Sequence, residues 1–285
     1  MEISGKTRLI ILIGNPVEHS MSPKMHNAAF KELELDYVYV ALRVDDDKVK
    51  EAIEGIRAFN IKGANVTVPH KISAMQYLNE IDPIAENIGA INTILNQDNY
   101  LYGTNTDGIG AVRSLKEEGV DLKGKKIVMI GAGGVARPIS YNFAPASKEF
   151  VLFDVAESAV QNLTQDLNTK LSGNIRGFKS NPQIITKELQ DADIFINATP
   201  VGMYPNINAS VIPKDMLRKD LVVFDVVYNP LETKLLRDAK AVGAKTISGV
   251  MMLVYQGVAA FELWTGEKAP FPLMKKMVLE GLGLK

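Results

Sequence analysis

The feature that most constrains the fold is a regular alternation of short, apolar, β-branched runs with segments of helical periodicity. Strands are predicted at RLIILIG (8–14), YVYVALRV (37–44) and ANVTV (64–68). Between the last two, apolar residues recur at helical spacing, at Val49, Ile53 and Ile56. Such alternation is typical of βαβ units around a mostly parallel sheet, so we expect an α/β protein.

A second set of strands begins after a polar connection near residue 108. The run KKIVMIGAGGVA (125–136) predicts a strand, a glycine turn and the start of a helix. Further strands are predicted at 149–155, 193–200, 221–228 and 245–248. Ahead of the connection, INTILN (91–96) and YLYGTN (100–105) predict a hairpin, and residues 250–285 are expected to be helical.

Composition excludes several functional classes. The 285 residues carry 32 basic and 33 acidic side chains without a basic block, so we expect no nucleic-acid partner. The absence of cysteine excludes disulfides and thiolate chemistry. Neither a secretory h-region nor a bilayer-length apolar run is found, so we expect a cytoplasmic protein without a membrane partner. The oligomeric state is left open, with a homodimer among the options.

The glycine turn has the context of a dinucleotide site. GAGGVA follows an apolar strand and opens a helix, so its amides can face a pyrophosphate; the residues concerned are Gly131, Ala132, Gly133, Gly134 and Val135. Asp154 ends the next strand, where an acid accepts hydrogen bonds from the ribose of NAD and repels the 2′-phosphate of NADP. The alternative is that Asp154 caps the helix beginning near Glu157. We expect NAD, with NADP as the alternative cofactor.

Four segments are more polar than simple connections require. Ser20 and Ser22 lie at a predicted helix N-terminus, with Ser22 at the N-cap, where hydroxyls and free amides can bind a carboxylate. Asn65 and Thr67 share one face at the end of the third strand. The segments GAINT and GTNTDG contribute further polar side chains, Asn92 and Asp107 among them.

Lys71 and Asp107 are the candidate catalytic pair. Oxidation of an alcohol needs a group that takes the hydroxyl proton as hydride leaves, and a lysine at the carboxyl edge of a sheet can do this or can stabilise the alkoxide. A nearby carboxylate would orient the lysine. From spacing alone, the alternative of two surface charges remains open. None of the three histidines, His19, His26 and His70, has a sequence partner that indicates chemistry, and no spacing predicts a metal site.

Together these segments resemble the shikimate dehydrogenase family, including its quinate/shikimate branch. The resemblance runs nearly end to end. It includes, in order, GNPVEHSMSPKMHN, GANVTVPHK, GAINT, GTNTDG, GAGGVA, NATPVGM, VVYNPLET and SGVMMLVYQGVAAFELWTG.

The resemblance implies a reversible, metal-free oxidation of shikimate to 3-dehydroshikimate by a nicotinamide cofactor. It implies an N-terminal α/β substrate domain closed by C-terminal helices (1–107 plus 249–285) and an inserted Rossmann domain (108–248). Lys71 and Asp107 would be catalytic, and Ser20 and Ser22 would hold the carboxylate. The remaining substrate contacts would be Asn65, Thr67, Asn92, Tyr228 and Gln256. Beyond the glycine turn and Asp154, the cofactor residues would be Thr199, Val226 and Gly249.

One departure from the family pattern bears on the cofactor. Most biosynthetic members carry Asn-Arg-Thr after the second Rossmann strand, with the arginine on the 2′-phosphate of NADP. Here the matching run, Phe153 to Val155, has Asp154 and no basic residue. This favours NAD and raises the alternative of an NAD-dependent quinate or dual quinate/shikimate dehydrogenase. An alternative of another class is a non-catalytic sensor of shikimate or quinate, which would not need both Lys71 and Asp107.

Overall fold

The computed structural model describes residues 3–283, which divide into two units. The first unit runs up to Gly110 and resumes at Val254, and the second spans Ala111–Leu253. The first unit is therefore built from two separate stretches of chain, which the second interrupts. The domain boundaries predicted from the sequence lie slightly earlier along the chain.

The first unit contains a mixed six-stranded sheet in the order β2-β1-β3-β5-β6-β4. Its strands are β1 (Arg8–Gly14), β2 (Tyr37–Arg43), β3 (Gly63–Val66), β4 (Glu80–Ile81), β5 (Thr93–Gln97) and β6 (Tyr100–Thr104). β1 pairs in parallel with β2 and β3, whereas β5 pairs antiparallel with β3 and β6. As a result β1, β3 and β6 end, and β5 begins, at one edge of the sheet.

The helices in or entering this unit are α1 (Ser22–Glu32), α2 (Val49–Ala58), α3 (Pro83–Ile88), α4 (Thr106–Glu117), α9 (Gly249–Thr265) and α10 (Phe271–Gly281). The predicted apolar face of α2 is buried in the core together with Ile11 and Ile13 of β1. In α9, the indole of Trp264 donates a hydrogen bond of 2.9 Å to the carbonyl of Ile94. Gly63 is needed opposite it, because a Cβ there would lie 2.4 Å from the indole.

The second unit contains a wholly parallel sheet in the order β12-β11-β10-β7-β8-β9. Its strands are β7 (Lys126–Ile130), β8 (Glu149–Asp154), β9 (Ile175–Lys179), β10 (Ile194–Asn197), β11 (Val222–Asp225) and β12 (Lys245–Ser248), and its helices are α5 (Ala136–Phe143), α6 (Glu157–Lys170), α7 (Pro182–Leu189) and α8 (Lys234–Ala241). This order is that of the Rossmann dinucleotide-binding fold. The predicted α/β class with an inserted Rossmann unit is confirmed.

The structure corrects three local predictions. Ser22 is not the N-cap of α1: Met21 holds that position, and the backbone N–H of Ser22 donates to Oγ of Ser20 at 3.2 Å. The strands β4 and β9 were not predicted. The C-terminal helical stretch is interrupted at residues 266–270, and its last two predicted residues lie outside the described part of the chain. Within residues 3–283, no helix is both long and apolar enough to cross a membrane.

Candidate active site

Lys71 and Asp107 form an ion pair at the polar edge of the first unit's sheet. Nζ of Lys71 lies 2.6 Å from Oδ2 of Asp107, and the two side chains are only 17% and 12% exposed. Lys71 follows β3, and Asp107 lies in the first turn of α4, directly after β6. Because both strands end at the same edge, the sheet brings together two charges that are far apart in sequence.

Asn92 holds the second oxygen of this carboxylate. Its Nδ2 donates to Oδ1 of Asp107 at 2.9 Å, while its Oδ1 accepts the backbone N–H of Thr106 at 2.8 Å. A backbone N–H can only donate, so this contact fixes which end of the amide faces the carboxylate. The hydroxyls of Thr93 and Thr106 also donate to Oδ1 of Asn92. Asp107 therefore accepts one charged and one neutral donor, one on each oxygen.

Asn65 extends the network deeper into the first unit. Its Nδ2 donates to the carbonyl of Asn92 and to Oγ1 of Thr93, both at 3.1 Å, and its Oδ1 accepts the hydroxyl of Tyr39 at 2.7 Å. A continuous series of hydrogen bonds thus runs from Tyr39 to Lys71. The linking polar groups are buried, and burial of polar atoms is tolerated where each has a partner.

The backbone of Lys71 is held independently of its side chain. The N–H of Ile91 donates to the carbonyl of Lys71 at 2.9 Å, which ties the Lys71 segment to the residue before Asn92. The adjacent ring of His70 is buried, and its Nε2 lies 2.7 Å from the carbonyl of Val44. His70 is therefore an anchor of the loop that carries Lys71.

The other predicted substrate residues of the first unit are buried or half-buried. Ser20 is half-buried and Ser22 is nearly buried, and the bond between them leaves the hydroxyl proton of Ser20 available to a ligand. Thr67 directly follows β3, and its methyl group occupies the space that a side chain at Gly14 would fill. Gln256 lies on α9 and is 9% exposed.

In the second unit, the glycine turn leaves room for a ligand. Gly131 adopts φ +121°, and a Cβ there would lie 2.6 Å from the carbonyl of Ala198. The backbone conformation and the packing at this position therefore both require glycine. At Gly133 and Gly134, by contrast, a Cβ would meet no atom within 4 Å. Neither backbone conformation nor packing accounts for these two glycines, whereas close approach of a pyrophosphate to the amides would. The turn therefore fits a dinucleotide.

Asp154 ties the glycine turn to the connection between β8 and α6. Oδ2 accepts the N–H of Ala132 at 2.7 Å, and Oδ1 accepts the N–H of Ala156 at 2.8 Å. Ala156 itself is the N-cap of α6, without a side-chain cap, so Asp154 does not cap that helix. The next residue, Val155, is 80% exposed and brings no positive charge to this position.

The remaining cofactor candidates follow β10, β11 and β12, whose ends share one edge because the sheet is parallel. Oγ1 of Thr199 donates to the buried amide of Asn197 at 2.7 Å. Gly249 approaches Val226 so closely that a Cβ would lie 2.1 Å from its carbonyl oxygen. Tyr228, the substrate candidate in this unit, is 36% exposed. Ligands of open parallel sheets bind at this edge.

Sequence reasoning missed the roles of Tyr39, Thr93 and Asn197. The sequence predicts Tyr39 and Asn197 only as parts of strands, at 37–44 and 193–200. Asn197 donates to Asp225 at 2.9 Å, and burial raises the pKa of that carboxyl to about 6. Within the described residues, no three His, Asp or Glu side chains converge as metal ligands would.

A Rossmann unit with a pyrophosphate turn, together with a unit holding a buried Lys–Asp pair, defines the class of nicotinamide-dependent oxidoreductases. Residues 12–94 match the family model "Shikimate dehydrogenase substrate binding domain", and residues 249–279 match "Shikimate 5'-dehydrogenase C-terminal domain". The chain is 47% identical over 282 residues to "Shikimate dehydrogenase (NADP(+))" of Methanocaldococcus jannaschii, covering 98% of both chains. It belongs to the shikimate dehydrogenase family.

Two solved structures frame the questions of substrate and cofactor. Shikimate 5-dehydrogenase from Listeria monocytogenes, in complex with shikimate and NAD, is 40% identical with a TM-score of 0.93 and covers 98% of each chain. Quinate dehydrogenase from Corynebacterium glutamicum, in complex with NAD, is 29% identical with a TM-score of 0.90, over 96% of this chain and 99% of that one. The fold is therefore shared by relatives that hold the same cofactor but are named for different substrates.

Proposed function

We propose that the protein catalyses the reversible oxidation of shikimate to 3-dehydroshikimate, with NAD as the hydride acceptor. The observation that carries the proposal is the largely buried Lys71–Asp107 pair, with Asn92 on the second carboxylate oxygen. A protein that only binds shikimate does not need this pair, and its presence supports an enzyme over a sensor. Family membership supports shikimate as the substrate class.

Substrate binding follows from the donors and acceptors that the first unit leaves available. Ser20 and Ser22 bind the carboxylate with their hydroxyls, and Thr67 and Gln256 contribute further contacts. Both N–H groups of Asn65 are used within the protein, so Asn65 meets a ring hydroxyl as an acceptor through Oδ1. Asn92 is the opposite case: its oxygen is saturated and one N–H remains, so it donates.

The proton of the reacting hydroxyl is exchanged with Lys71. The bound cofactor supplies the hydride acceptor, and the chain must take up a proton as hydride leaves. Asp107 occupies only one of the three hydrogen-bonding positions of Nζ of Lys71, which leaves room there for the reacting hydroxyl. Lys71 is thus the proton acceptor when neutral, and in the reverse direction the ammonium gives a proton to the alkoxide. Asp107 orients it.

The preference for NAD rests on Asp154. Its carboxylate lies beside the glycine turn and keeps a lone pair on each oxygen for the ribose hydroxyls. The 2′-phosphate of NADP would meet this negative charge, and exposed Val155 offers no compensating cation. The Methanocaldococcus jannaschii relative is named as NADP(+)-dependent, while the Listeria monocytogenes structure holds NAD.

Quinate is the second candidate substrate. The quinate dehydrogenase of Corynebacterium glutamicum shares the fold, but its identity of 29% is lower than that of the shikimate enzymes above. We therefore propose shikimate as the preferred substrate. Activity on both shikimate and quinate would be consistent with this proposal.

The experiment that tests the proposal is initial-rate cofactor reduction with shikimate or quinate, each with NAD⁺ or NADP⁺. We expect the highest kcat/KM with shikimate and NAD⁺. If only NADP⁺ supports turnover, the proposed NAD preference from Asp154 is wrong, but the assignment as a dehydrogenase stands. Turnover in none of the four combinations would overturn the function, and a binding titration with shikimate would then test the sensor.

A further inference from the structure

Tyr39 is a buried phenol that none of the steps above uses. It lies on the edge strand β2 and is 2% exposed, so it cannot itself bind a ligand in this conformation. Its hydroxyl donates a hydrogen bond of 2.7 Å to Oδ1 of Asn65. The direction is fixed, because both N–H groups of Asn65 are used elsewhere and its oxygen can only accept.

The position of Tyr39 is itself held from two sides. The side chain of Asn27 accepts the N–H of Tyr39 at 2.8 Å and donates to its carbonyl at 2.9 Å, which completes the backbone of an edge strand. The imidazole of His26 stacks on the phenol ring at 4.7 Å between ring centres, and Trp264 lies 6.1 Å away. The phenol oxygen is therefore placed with little freedom.

The same oxygen lies beside Ser22. Burial raises the pKa of Tyr39, and the hydroxyl of Ser22 is the neighbouring group that opposes this rise. The phenol stays protonated at any working pH and remains a donor to Asn65. Tyr39 thus stands between Ser22, on the carboxylate side of the substrate site, and Asn65, on the ring-hydroxyl side.

We propose that Tyr39 is a positioning residue for substrate recognition, which holds the amide of Asn65 so that the second lone pair of Oδ1 faces the substrate hydroxyl. The inference rests on the proposed function, because Asn65 needs this orientation only if it receives a hydroxyl. Without the phenol oxygen, the first lone pair of Oδ1 is buried without a donor, and the amide rotates to satisfy it.

The test is the Tyr39→Phe variant, which keeps the ring and its stacking. We expect the KM for shikimate to rise about 5- to 30-fold, since one buried hydrogen bond is lost, while kcat and the KM for the cofactor stay within about 3-fold. Tyr102→Phe is the matched control, because that hydroxyl also bonds a polar side chain of the same unit, Asp82 at 3.3 Å. Its KM should match that of the wild type.

A double-mutant cycle separates positioning from general destabilisation. If Tyr39 acts through Asn65, Tyr39→Phe should have no further effect on KM in an Asn65→Ala background. The same rise in both backgrounds, or no rise at all, would overturn the proposal. Wild-type turnover in the same assay separates the two hypotheses: if the wild type turns over shikimate and Tyr39→Phe matches it, only the positioning role fails, whereas an inactive wild type defeats the proposed function.

Discussion

Asn92 donates a hydrogen bond to one oxygen of Asp107 and leaves the other oxygen to Lys71. The carboxylate is thereby held from both sides and cannot turn away from the lysine. An arrangement in which orienting groups are themselves oriented is typical of sites that handle a proton.

Replacing Lys71 should remove the proton acceptor and leave the binding groups in place. Lys71→Ala is expected to lower kcat about 10²- to 10⁴-fold, with substrate affinity within a few-fold, because general acid–base groups contribute on this scale. Steady-state rates together with a shikimate titration measure both. Lys50→Ala, an exposed lysine of α2, is the control and should behave as the wild type. Turnover at the wild-type level in Lys71→Ala would remove the lysine from the mechanism.

Asp154→Asn should weaken the preference for NAD. The substitution removes a negative charge beside the expected 2′-phosphate while keeping one acceptor oxygen, so we expect the ratio of kcat/KM for NAD⁺ over NADP⁺ to fall by about 10-fold or more. Glu157→Gln removes a charge three residues further on, from an exposed carboxylate. An unchanged ratio for Asp154→Asn, or an equal change in both variants, would mean that another feature sets the preference.

A partly buried ion pair in the second unit, between Arg176 and Glu188, predicts acid sensitivity. The Arg176 guanidinium, which hydrogen-bonds Glu188 at 2.7 and 2.9 Å, holds the pKa of Glu188 down at about 2. Because the native pKa lies below the unfolded value, this group stabilises the fold above about pH 4.5. The contribution, about 3 kcal/mol, is lost as the pH falls toward 2.

Denaturant unfolding followed by far-UV circular dichroism at several pH values measures this contribution. Glu188→Gln should unfold more easily at pH 6 and should show a weaker dependence on acid. Glu157→Gln, an exposed carboxylate of the same unit, should keep the wild-type profile. If Glu188→Gln and the wild type lose stability in parallel between pH 4.5 and 2.5, the ion pair contributes nothing.

Because of His26, we expect the stability of the first unit to depend on pH below about 6.5, a higher pH range than for Glu188. Burial among aromatic rings lowers the pKa of His26 to about 3, and neither ring nitrogen has a hydrogen-bond partner within the described residues. The unfolded chain binds a proton near pH 6.5 and the native state does not, so stability falls as the pH decreases below 6.5. Between pH 6.5 and 5 this amounts to about 2 kcal/mol.

Trp264 is the only tryptophan of the chain and lies 5.3 Å from His26, so its fluorescence reports unfolding of the first unit. His26→Phe should flatten the pH dependence between 6.5 and 5, while His19→Asn, at an exposed position, should not. If the stability of His26→Phe depends on pH between 6.5 and 5 as strongly as that of the wild type, the dependence originates in another titratable group.

Much of the candidate site could be predicted because it depends on where strands end. Lys71 follows β3 and Asp107 follows β6. The end of a strand can be predicted from the sequence, because polar residues follow an apolar run there. Their direct contact follows from the pairing of β3, β5 and β6, which the predicted hairpin made foreseeable.

Other features depend on packing that a linear pattern does not carry. Tyr39 occupies an inward-facing position of β2, and nothing in the sequence distinguishes it from any other inward residue of a strand. Its hydrogen-bond partner, Asn65, lies on a different strand, β3. The strand β9 is short, lies at the sheet edge and includes Arg176 and Lys179, so it lacks an apolar signal. Helix α1 starts one residue earlier than predicted, because Ser20, outside the helix, accepts the N–H of Ser22.

The interruption of the first unit has a consequence for its synthesis. Its six strands are translated before residue 111, but Trp264, which closes the sheet against Ile94 and Gly63, is translated only after the whole Rossmann unit. The six strands are therefore synthesised in full before the indole that packs against them. Until α9 is translated, the space beside Gly63 that the indole of Trp264 fills cannot be closed.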